Sequence, residues 1–238
     1  MFFDLNINEF YNKDEIEFIN QSEYTGICLN RKLSARDYIV KDPFNIPDII
    51  TKDVYTRIEI DVRKEDLSFF NIKRVPNYDI ISIKASDEAV LRKACTEWYP
   101  DLITFDNGLK LKDGYIRDAM FKNVFFEITV SDALYNSKDR INWMRCVRNI
   151  LKITKGRNVI ISSGAVCGTE IKRPWELVKL LNCFGLSDDR GMNMIKDNPV
   201  RLLENCALKR YAYRGVVANN LDEGILKRNF ILNKYLNK

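Results

Sequence analysis

The sequence predicts an α/β protein: a TIM-barrel-like (βα) barrel of about seven parallel strands, with extra helices at the C-terminal end. Three observations carry this prediction. The chain has 238 residues, of which 46% are hydrophobic, and this suffices for one large core. Seven short apolar segments are each bounded by polar residues. Amphipathic helical patterns lie between these segments, and such an alternation within one domain's length is typical of a barrel of βα units.

The seven predicted strands share one form, in which a polar residue opens a short apolar run and another polar residue closes it. They span residues 2–7, 24–29, 54–60, 78–84, 101–106, 123–129 and 157–163. The later segments are too continuously apolar for antiparallel strands with one wet face. They therefore favour parallel strands that are covered on both faces.

Two of the intervening helices have clear signals. Residues 86–98 begin with Ser86 as a candidate N-cap, followed by two acidic residues and then by apolar residues at helical spacing. Residues 137–154 place apolar and basic side chains on separate faces. Both patterns predict helices that pack one face on the sheet.

The rhythm changes after the seventh strand. Residues 173–206 predict three short helices that begin at Pro174, at Ser187 and at Asn198, with Gly185 ending the first of them. We therefore divide the chain into a barrel domain, 1–208, and a basic C-terminal tail, 209–238.

Charge is unevenly distributed along the chain. From Arg201 onward there are eight Lys or Arg against three Asp or Glu, an excess that equals the net charge of +5 of the whole chain. Such a tail indicates an acidic partner such as RNA, although a solvated, disordered end would have the same composition.

No apolar run is long enough to cross a bilayer and the start does not resemble a signal peptide. These observations predict a soluble, intracellular protein whose six scattered cysteines are reduced core residues.

The loops that follow the strands, which we call the mouth of the barrel, offer more cations and neutral polar groups than carboxylates. A mouth of this composition favours phosphate over a divalent metal. The chain has no histidine, so neither a histidine-ligated metal site nor a Ser–His–acid triad can be built. Ser162 and Ser163, after the seventh strand, then act as capping or positioning groups, or hold a phosphate. Glycine-rich nucleotide loops are absent from the sequence as well.

One catalytic alternative remains open at this stage. Asp4, Asp61 and Asp106 all stand near predicted strand ends, and a metal site built from carboxylates alone would make the chain a barrel phosphoesterase. Strand-end acids are more often capped or paired within the protein. A scaffold that binds only proteins is a second alternative, in which the basic tail has no ligand.

Several basic residues are candidates for contacts with phosphate. Arg145, Arg148 and Lys152 stand at i, i+3 and i+7 of the predicted helix 137–154 and share one face, which could also be an ordinary solvated surface. Lys172 and Arg173 precede the Pro174 helix, whose N-terminal N–H groups add to an anion site. In the tail, basic and aromatic residues are interleaved, as in proteins that bind single-stranded RNA. The tail residues of this kind are Lys209, Arg210, Tyr211, Tyr213 and Arg214.

Several segments resemble the TIM-barrel-like protein subunit of eukaryotic and archaeal ribonuclease P, which eukaryotes share with ribonuclease MRP. They are, in order, "MFFDLNI", "YDIISIKASDEAVLRKAC", "DLITFD", "FFEITVSDAL", "KGRNVIISSGA", "EIKRPWELVKLLNCFGLS" and "NPVRLL". "KGRNVIISS" followed by "RP" and "FGLS" is the most specific part. The resemblance covers residues 76–210 well and 1–30 fairly, whereas 31–75 matches weakly. The family's fold is similar to that of the polymerase and histidinol phosphatase superfamily, whose metal ligands are largely histidines.

The resemblance implies a non-catalytic protein subunit without a cofactor. In this family the RNA subunit removes the 5′ leader of precursor tRNA, while the barrel protein supports the RNA and binds a small α/β protein subunit. Expected partners are therefore ribonuclease P RNA, other ribonuclease P proteins and, indirectly, precursor tRNA, with no membrane. We expect the nucleus (nucleolus) as location in a eukaryote and the cytoplasm otherwise. The resemblance carries RNA-binding roles over to Lys84, Arg140, Arg145, Arg148, Ser162, Ser163, Lys172 and Arg173.

Overall fold

The main body of the chain is a barrel of parallel strands. The computed structural model describes residues 1–8, 13–37, 46–75, 78–213, 216–217 and 224–232. Within them, seven strands form one parallel sheet in chain order. Ile7 also bridges to Ala165, next to the last strand, so the sheet nearly closes on itself. The strands are β1 Phe3–Asn8, β2 Gly26–Ser34, β3 Asp53–Val62, β4 Ile80–Ala85, β5 Leu102–Phe105, β6 Phe125–Thr129 and β7 Val159–Ser162. The predicted fold class and all seven predicted strands are confirmed.

The helices cover the outside of the barrel and one of its ends. They are α1 Lys13–Gln21, α2 Glu88–Lys93, α3 Asp113–Phe121, α4 Ser137–Thr154, α5 Pro174–Asn182, α6 Asp188–Ile195, α7 Asp197–Tyr211 and α8 Ile225–Lys227. Short π-helical segments extend α2 over Ala94–Trp98 and α8 over Arg228–Leu232, and a two-stranded ribbon, β8 Ala212–Tyr213 and β9 Val216–Val217, follows α7. None of the described helices combines the length and apolar composition needed to span a bilayer.

The sequence explains the two ends of α4. Asn136 stands before the helix in extended conformation, and its side-chain oxygen accepts a hydrogen bond from the Asp139 backbone N–H at 2.8 Å. This bond satisfies one of the N–H groups that a helix leaves without an internal partner. At the other end Lys155 adopts a left-handed conformation, and Gly156 after it has a positive φ as well, which ends the helix.

The barrel interior changes in character along its axis. Apolar side chains of all seven strands fill the base, the end where the strands begin, namely Phe3, Leu5, Cys28, Tyr55, Ile80, Leu102, Phe125 and Ile160. Leu202, Leu203 and Cys206 of α7 and Leu226 of α8 pack on this layer. The base is therefore sealed by the C-terminal helices, and the polar interior described below lies on the mouth side of the seal.

Three details of the predicted helices are corrected. The residue before α2 is Asp87 and not Ser86, because the Ser86 hydroxyl donates to Asp61 at 3.0 Å. The predicted start at Asn198 is one residue late, and that helix is not short, since α7 runs from Asp197 to Tyr211. The amide of Asn198 instead donates to the carbonyls of Gly156 and Val159 at 2.9 and 2.6 Å, which ties α7 to the start of β7.

The predicted boundary between residues 208 and 209 falls inside α7. Of the predicted tail, Leu226 and Ile231 are buried against the base of the barrel. All six cysteines are free, as expected, but Cys183 is exposed and Cys167 is only partly buried, so neither belongs to the core.

Candidate nucleic-acid interface

A buried ion network supports the floor of the mouth. The guanidinium of Arg57, on β3, is fully buried and donates to both carboxylate oxygens of Glu127, on β6, at 2.8 and 2.6 Å. It also donates to Glu59 at 2.6 Å, to Ser82 at 3.0 Å and to the Leu5 carbonyl at 2.9 Å. Burial by itself lowers the pKa of Arg57, but Glu127 and Glu59 raise it by more than burial lowers it. The side chain therefore remains charged.

The network reaches β7 through Ser162. Its hydroxyl donates to Glu127 at 2.6 Å, and the amide of Asn6 donates to the other oxygen of the same carboxylate at 3.3 Å. Sequence reasoning missed Arg57, Glu59 and Glu127 as a group. Charged residues at alternating positions of otherwise apolar strands are the signal that could have found them, because these positions share one face of a strand.

Ser163 positions the loop that follows β7. Its hydroxyl accepts a hydrogen bond from the Lys172 backbone N–H at 2.9 Å, while the Tyr24 hydroxyl donates to the Lys172 carbonyl at 2.7 Å. The backbone N–H of Ser163 donates to the Asp4 carboxylate at 3.2 Å. Ser162 and Ser163 are both buried. Their side chains are therefore turned to the protein, and we leave both out of the surface proposed below to contact RNA.

Lys172 and Arg173 lead directly into α5. Lys172 is half-buried and Arg173 is exposed, and Pro174 occupies the first position of the helix. Because both carbonyl and N–H of Lys172 are fixed by side chains of the barrel, these two cations stand on a rigid backbone beside a helix N-terminus. Such a place favours a phosphate group.

Lys84, at the end of β4, lines the mouth together with Lys32, Glu59 and Asp132. Its ammonium group forms an ion pair with Asp106 at 2.9 Å. Partial burial works against the charged form, but the hydrogen bond that Lys84 donates to Asp106 raises the pKa of Lys84 above its usual value. A phosphate at this position would have to compete with the Asp106 carboxylate.

The basic face of α4 is exposed. Arg145, Arg148 and Lys152 all point to solvent, and none of them forms a salt bridge with another described residue. Arg140, one turn from the start of the helix, donates to the Ala133 carbonyl at 3.0 Å. The face runs from the mouth toward the base, since α4 follows β6 and precedes β7.

The predicted tail residues lie away from the mouth. Lys209 and Arg210 form ion pairs with Asp101 at 3.0 and 2.6 Å, and Asp101 precedes β5 at the base of the barrel. Burial alone raises the pKa of Asp101, but the two cations lower it below its usual range. Both cations thus have a structural partner. Arg214 lies outside the described residues.

The three acids of the catalytic alternative do not converge. Asp4 accepts from the backbone of Asn6 and of Ser163, Asp61 accepts from Ser86, and Asp106 pairs with Lys84. Burial raises the pKa of Asp4 to about 7, so its carboxyl group is only partly ionised near neutral pH. In the described part of the chain, no group of three or more potential ligands is placed to hold a metal ion.

Comparisons with known proteins identify the family. Residues 1–211 match the model of a family described as RNase P subunit p30. The chain is 26% identical over 185 residues to Protein GAMETOPHYTE DEFECTIVE 1 of Arabidopsis thaliana, with 74% of this chain and 32% of that protein covered. It is 28% identical over 150 residues to Ribonuclease P protein subunit drpp30 of Dictyostelium discoideum, with 61% of this chain and 41% of that protein covered. The chain therefore matches less than half the length of either relative.

A solved structure supports the fold independently. A chain in a cryo-EM structure of archaeal ribonuclease P with mature tRNA superimposes with a TM-score of 0.67 at 19% identity, and the match covers 92% of this chain and 99% of that one. Fold, motif order and family match agree over the barrel and α7. The chain belongs to the RNase P subunit p30 family.

Proposed function

We propose that the chain is a non-catalytic protein subunit of ribonuclease P, which supports the catalytic RNA during removal of 5′ leaders from precursor tRNA. The match of residues 1–211 to the p30 family is the observation that carries this proposal. The described structure is consistent with a non-catalytic role. Asp4, Asp61 and Asp106, the acids of the alternative metal site, each bind a different partner within the protein and do not converge.

The proposed RNA contact has two parts. The first is the pair Lys172 and Arg173 beside the start of α5, and the second is the exposed face of α4 that carries Arg145 and Arg148. Both parts offer cations to phosphate groups, which position an RNA without reading its sequence. Lys84 and Arg140 lie close to the mouth and extend this surface.

Protein partners are proposed for the same subunit. Exposed apolar residues accompany the cations of α4, namely Ile141 and Met144, and Trp175 of α5 is exposed as well. Aromatic and Met side chains next to Arg are common at protein interfaces. We propose that the small α/β protein subunit and other ribonuclease P proteins are such partners. Nuclear location in a eukaryote, and service in ribonuclease MRP, are further parts of the proposal.

The decisive experiment is purification of the tagged protein from its own cells. The RNA that copurifies is sequenced, and the eluate is tested for cleavage of a precursor tRNA leader before and after digestion of the RNA. One structured RNA with leader-cleaving activity that disappears on digestion is the expected result. Activity that survives digestion, in particular activity that needs a metal and the isolated chain, would favour the barrel phosphoesterase and overturn the proposal.

The mouth contact has its own test. Replacing Lys172 and Arg173 with Ala is expected to weaken RNA binding about tenfold, because two phosphate contacts are lost, and to make the affinity less dependent on salt. The circular dichroism spectrum should not change, since Ser163 and Tyr24 hold the backbone of residue 172 and not its side chain. RNA binding equal to that of the wild type would remove these residues from the interface. If the wild type and the variant both bind their partners with an affinity that does not change with salt, the chain would instead be a scaffold that binds only proteins.

A further inference from the structure

A concave surface at the base of the barrel gathers four cations that the sequence patterns did not bring together. Lys155 and Arg157 belong to the turn between α4 and β7, Arg190 to α6 and Arg201 to α7. All four are exposed, and they line one opening, which we call the basal concavity. Among the described residues, none of the four forms a salt bridge.

The turn that carries two of these cations is held in place from both sides. Lys155, Gly156 and Asn158 have positive φ angles of 55°, 80° and 51°, so the chain reverses within four residues. The Asn158 amide donates to the carbonyls of Met120 and Val124 at 3.4 and 3.3 Å. The buried Asn198 amide, described above, ties the same turn to α7. The backbone of the turn is thus fixed, which lowers the entropy cost of binding.

The position of Arg201 is fixed as well. Its guanidinium donates to the Asn158 side-chain oxygen at 3.3 Å and lies over the Phe125 ring at 5.7 Å from the centroid. The hydrogen bond uses one N–H group of Arg201, so further N–H groups are left for a ligand. Asp197 precedes Asn198, which lines the concavity, and the Asp197 carboxylate lies 2.8 Å from the amide nitrogen of Asn193 when that amide is oriented to donate.

The basal concavity continues the basic face of α4. Lys155 follows Lys152 by three residues, Arg148 by seven and Arg145 by ten, so the exposed face of the helix leads into the concavity. A helix of 18 residues is about 27 Å long at the usual rise per residue. Cations along this length match the repeated phosphates of a nucleic-acid strand better than they match one small anion. The concavity itself is lined by polar side chains and Gly156, and so offers little of the apolar surface that a protein partner would bury.

We infer that the basal concavity formed by Lys155, Arg157, Arg190 and Arg201 binds the phosphodiester backbone of RNA, as a second contact at the opposite end of the barrel from Lys172 and Arg173. The inference rests on the proposed function for the identity of the RNA. It extends that function by stating that the RNA follows α4 from the mouth to the base, and so holds the barrel at both ends.

The test compares two double variants of the full-length chain. Arg157→Gln with Arg190→Gln removes two charges from the basal concavity but leaves the supporting Arg201 intact. Arg92→Gln with Lys73→Gln removes two charges from exposed residues outside both proposed contacts and serves as the control. Each protein is bound to a transcript of the organism's ribonuclease P RNA at several salt concentrations, and folding is checked by thermal melts followed by circular dichroism.

The basal variant is expected to bind about tenfold more weakly, and its slope of log K against log salt is expected to fall by roughly 1 to 2 relative to the control. Arg157→Lys with Arg190→Lys should restore most of the affinity, because the charges return. Hydroxyl-radical footprints should show that the basal variant and the Lys172/Arg173 variant lose protection of different RNA positions.

Equal affinity and equal salt slopes of the basal and control variants would overturn the inference while leaving the proposed function intact. Binding of the wild type to any structured RNA alike, with the loss confined to the basal variant, would uphold the concavity as an RNA contact and count against the proposed function. Absence of RNA binding by the wild type would overturn both.

Discussion

At the scale of the residue, the most unusual feature is a fully buried arginine between two carboxylates. Arg57 contacts Glu127 with two parallel hydrogen bonds and Glu59 with a third. Removing such charges from water is costly, and only close geometry with all hydrogen bonds satisfied offsets that cost. The neighbouring hydroxyls of Ser82 and Ser162 complete the set of partners. The network therefore depends on every member.

Replacing Glu127 with Gln should lower the free energy of unfolding by roughly 3 kcal/mol, since it keeps the shape but weakens the pairing of a buried charge. Urea denaturation followed by circular dichroism measures the change. The matched control is Glu65→Gln, because Glu65 pairs with Arg36 at 3.7 Å on the surface with 63% of its side chain exposed. That variant is expected to stay within about 0.5 kcal/mol of the wild type. If the two variants lose the same stability, the network does not support the barrel.

Asp4 gives the barrel a specific dependence on pH. Burial raises its pKa from 3.8 to about 7, despite hydrogen bonds from Ser163 and Asn6 that favour the charged form. The folded state therefore binds more protons than the unfolded state between about pH 4 and 7. The contribution of Asp4 to stability is full below the unfolded pKa and decreases as pH rises through this window, by an amount on the order of 4 kcal/mol.

Asp4→Asn should remove that contribution, so the variant gains stability relative to the wild type as pH rises from 4 to 8. Urea denaturation at several pH values gives the difference. Asp101→Asn offers a contrast of opposite sign, because Arg210 and Lys209 outweigh burial and lower the pKa of Asp101. That variant should lose most stability at neutral pH and least at acidic pH. A constant difference between Asp4→Asn and wild type across the range would contradict the raised pKa.

At the scale of the element, the sequence predicts what local patterns determine. The seven strands and α4 are found where their apolar spacing and polar boundaries place them. The start of α2 is missed because the Ser86 hydroxyl bonds to Asp61, which is 25 residues away and enters no local rule. The change from α- to π-helix at Ala94 likewise leaves no signal in the spacing of the apolar residues.

The candidate site shows the same limit. Lys172 and Arg173 could be found from one segment, since a helix start and two cations are adjacent in sequence. The basal concavity could not, because its four cations come from a turn and two helices that only the packing of α6 and α7 on β7 brings together. The role of Lys209 and Arg210 also depends on a distant residue, as both pair with Asp101. Local charge alone does not distinguish a structural ion pair from a free cation.

At the scale of the whole molecule, the barrel has two unlike ends. The mouth side of the interior is charged and hydrogen-bonded, whereas the base is apolar and covered by α7 and α8. Leu226 of α8 is fully buried, as are Leu202, Leu203 and Cys206 of α7 on the same layer. Although the composition after residue 208 predicts a basic tail, its described parts include side chains that close the core.

Leu226→Ala should therefore destabilise the whole barrel, by roughly 2–4 kcal/mol, through lost burial and the cavity that remains. Leu208→Ala is the matched control, because Leu208 lies on α7 with 41% of its surface exposed. That change should cost less than about 1 kcal/mol. Both are measured by urea denaturation, with fluorescence and circular dichroism as separate probes.

One coincident transition, shifted to lower urea only for Leu226→Ala, means that the segment around α8 unfolds together with the barrel. If Leu226→Ala is as stable as the control, the C-terminal segment does not seal the base, and residues beyond α7 form a separate unit. The two outcomes decide whether removing the basic C-terminal residues would test RNA binding at all, because deletion of a segment that seals the core would unfold the surfaces that carry the phosphate contacts.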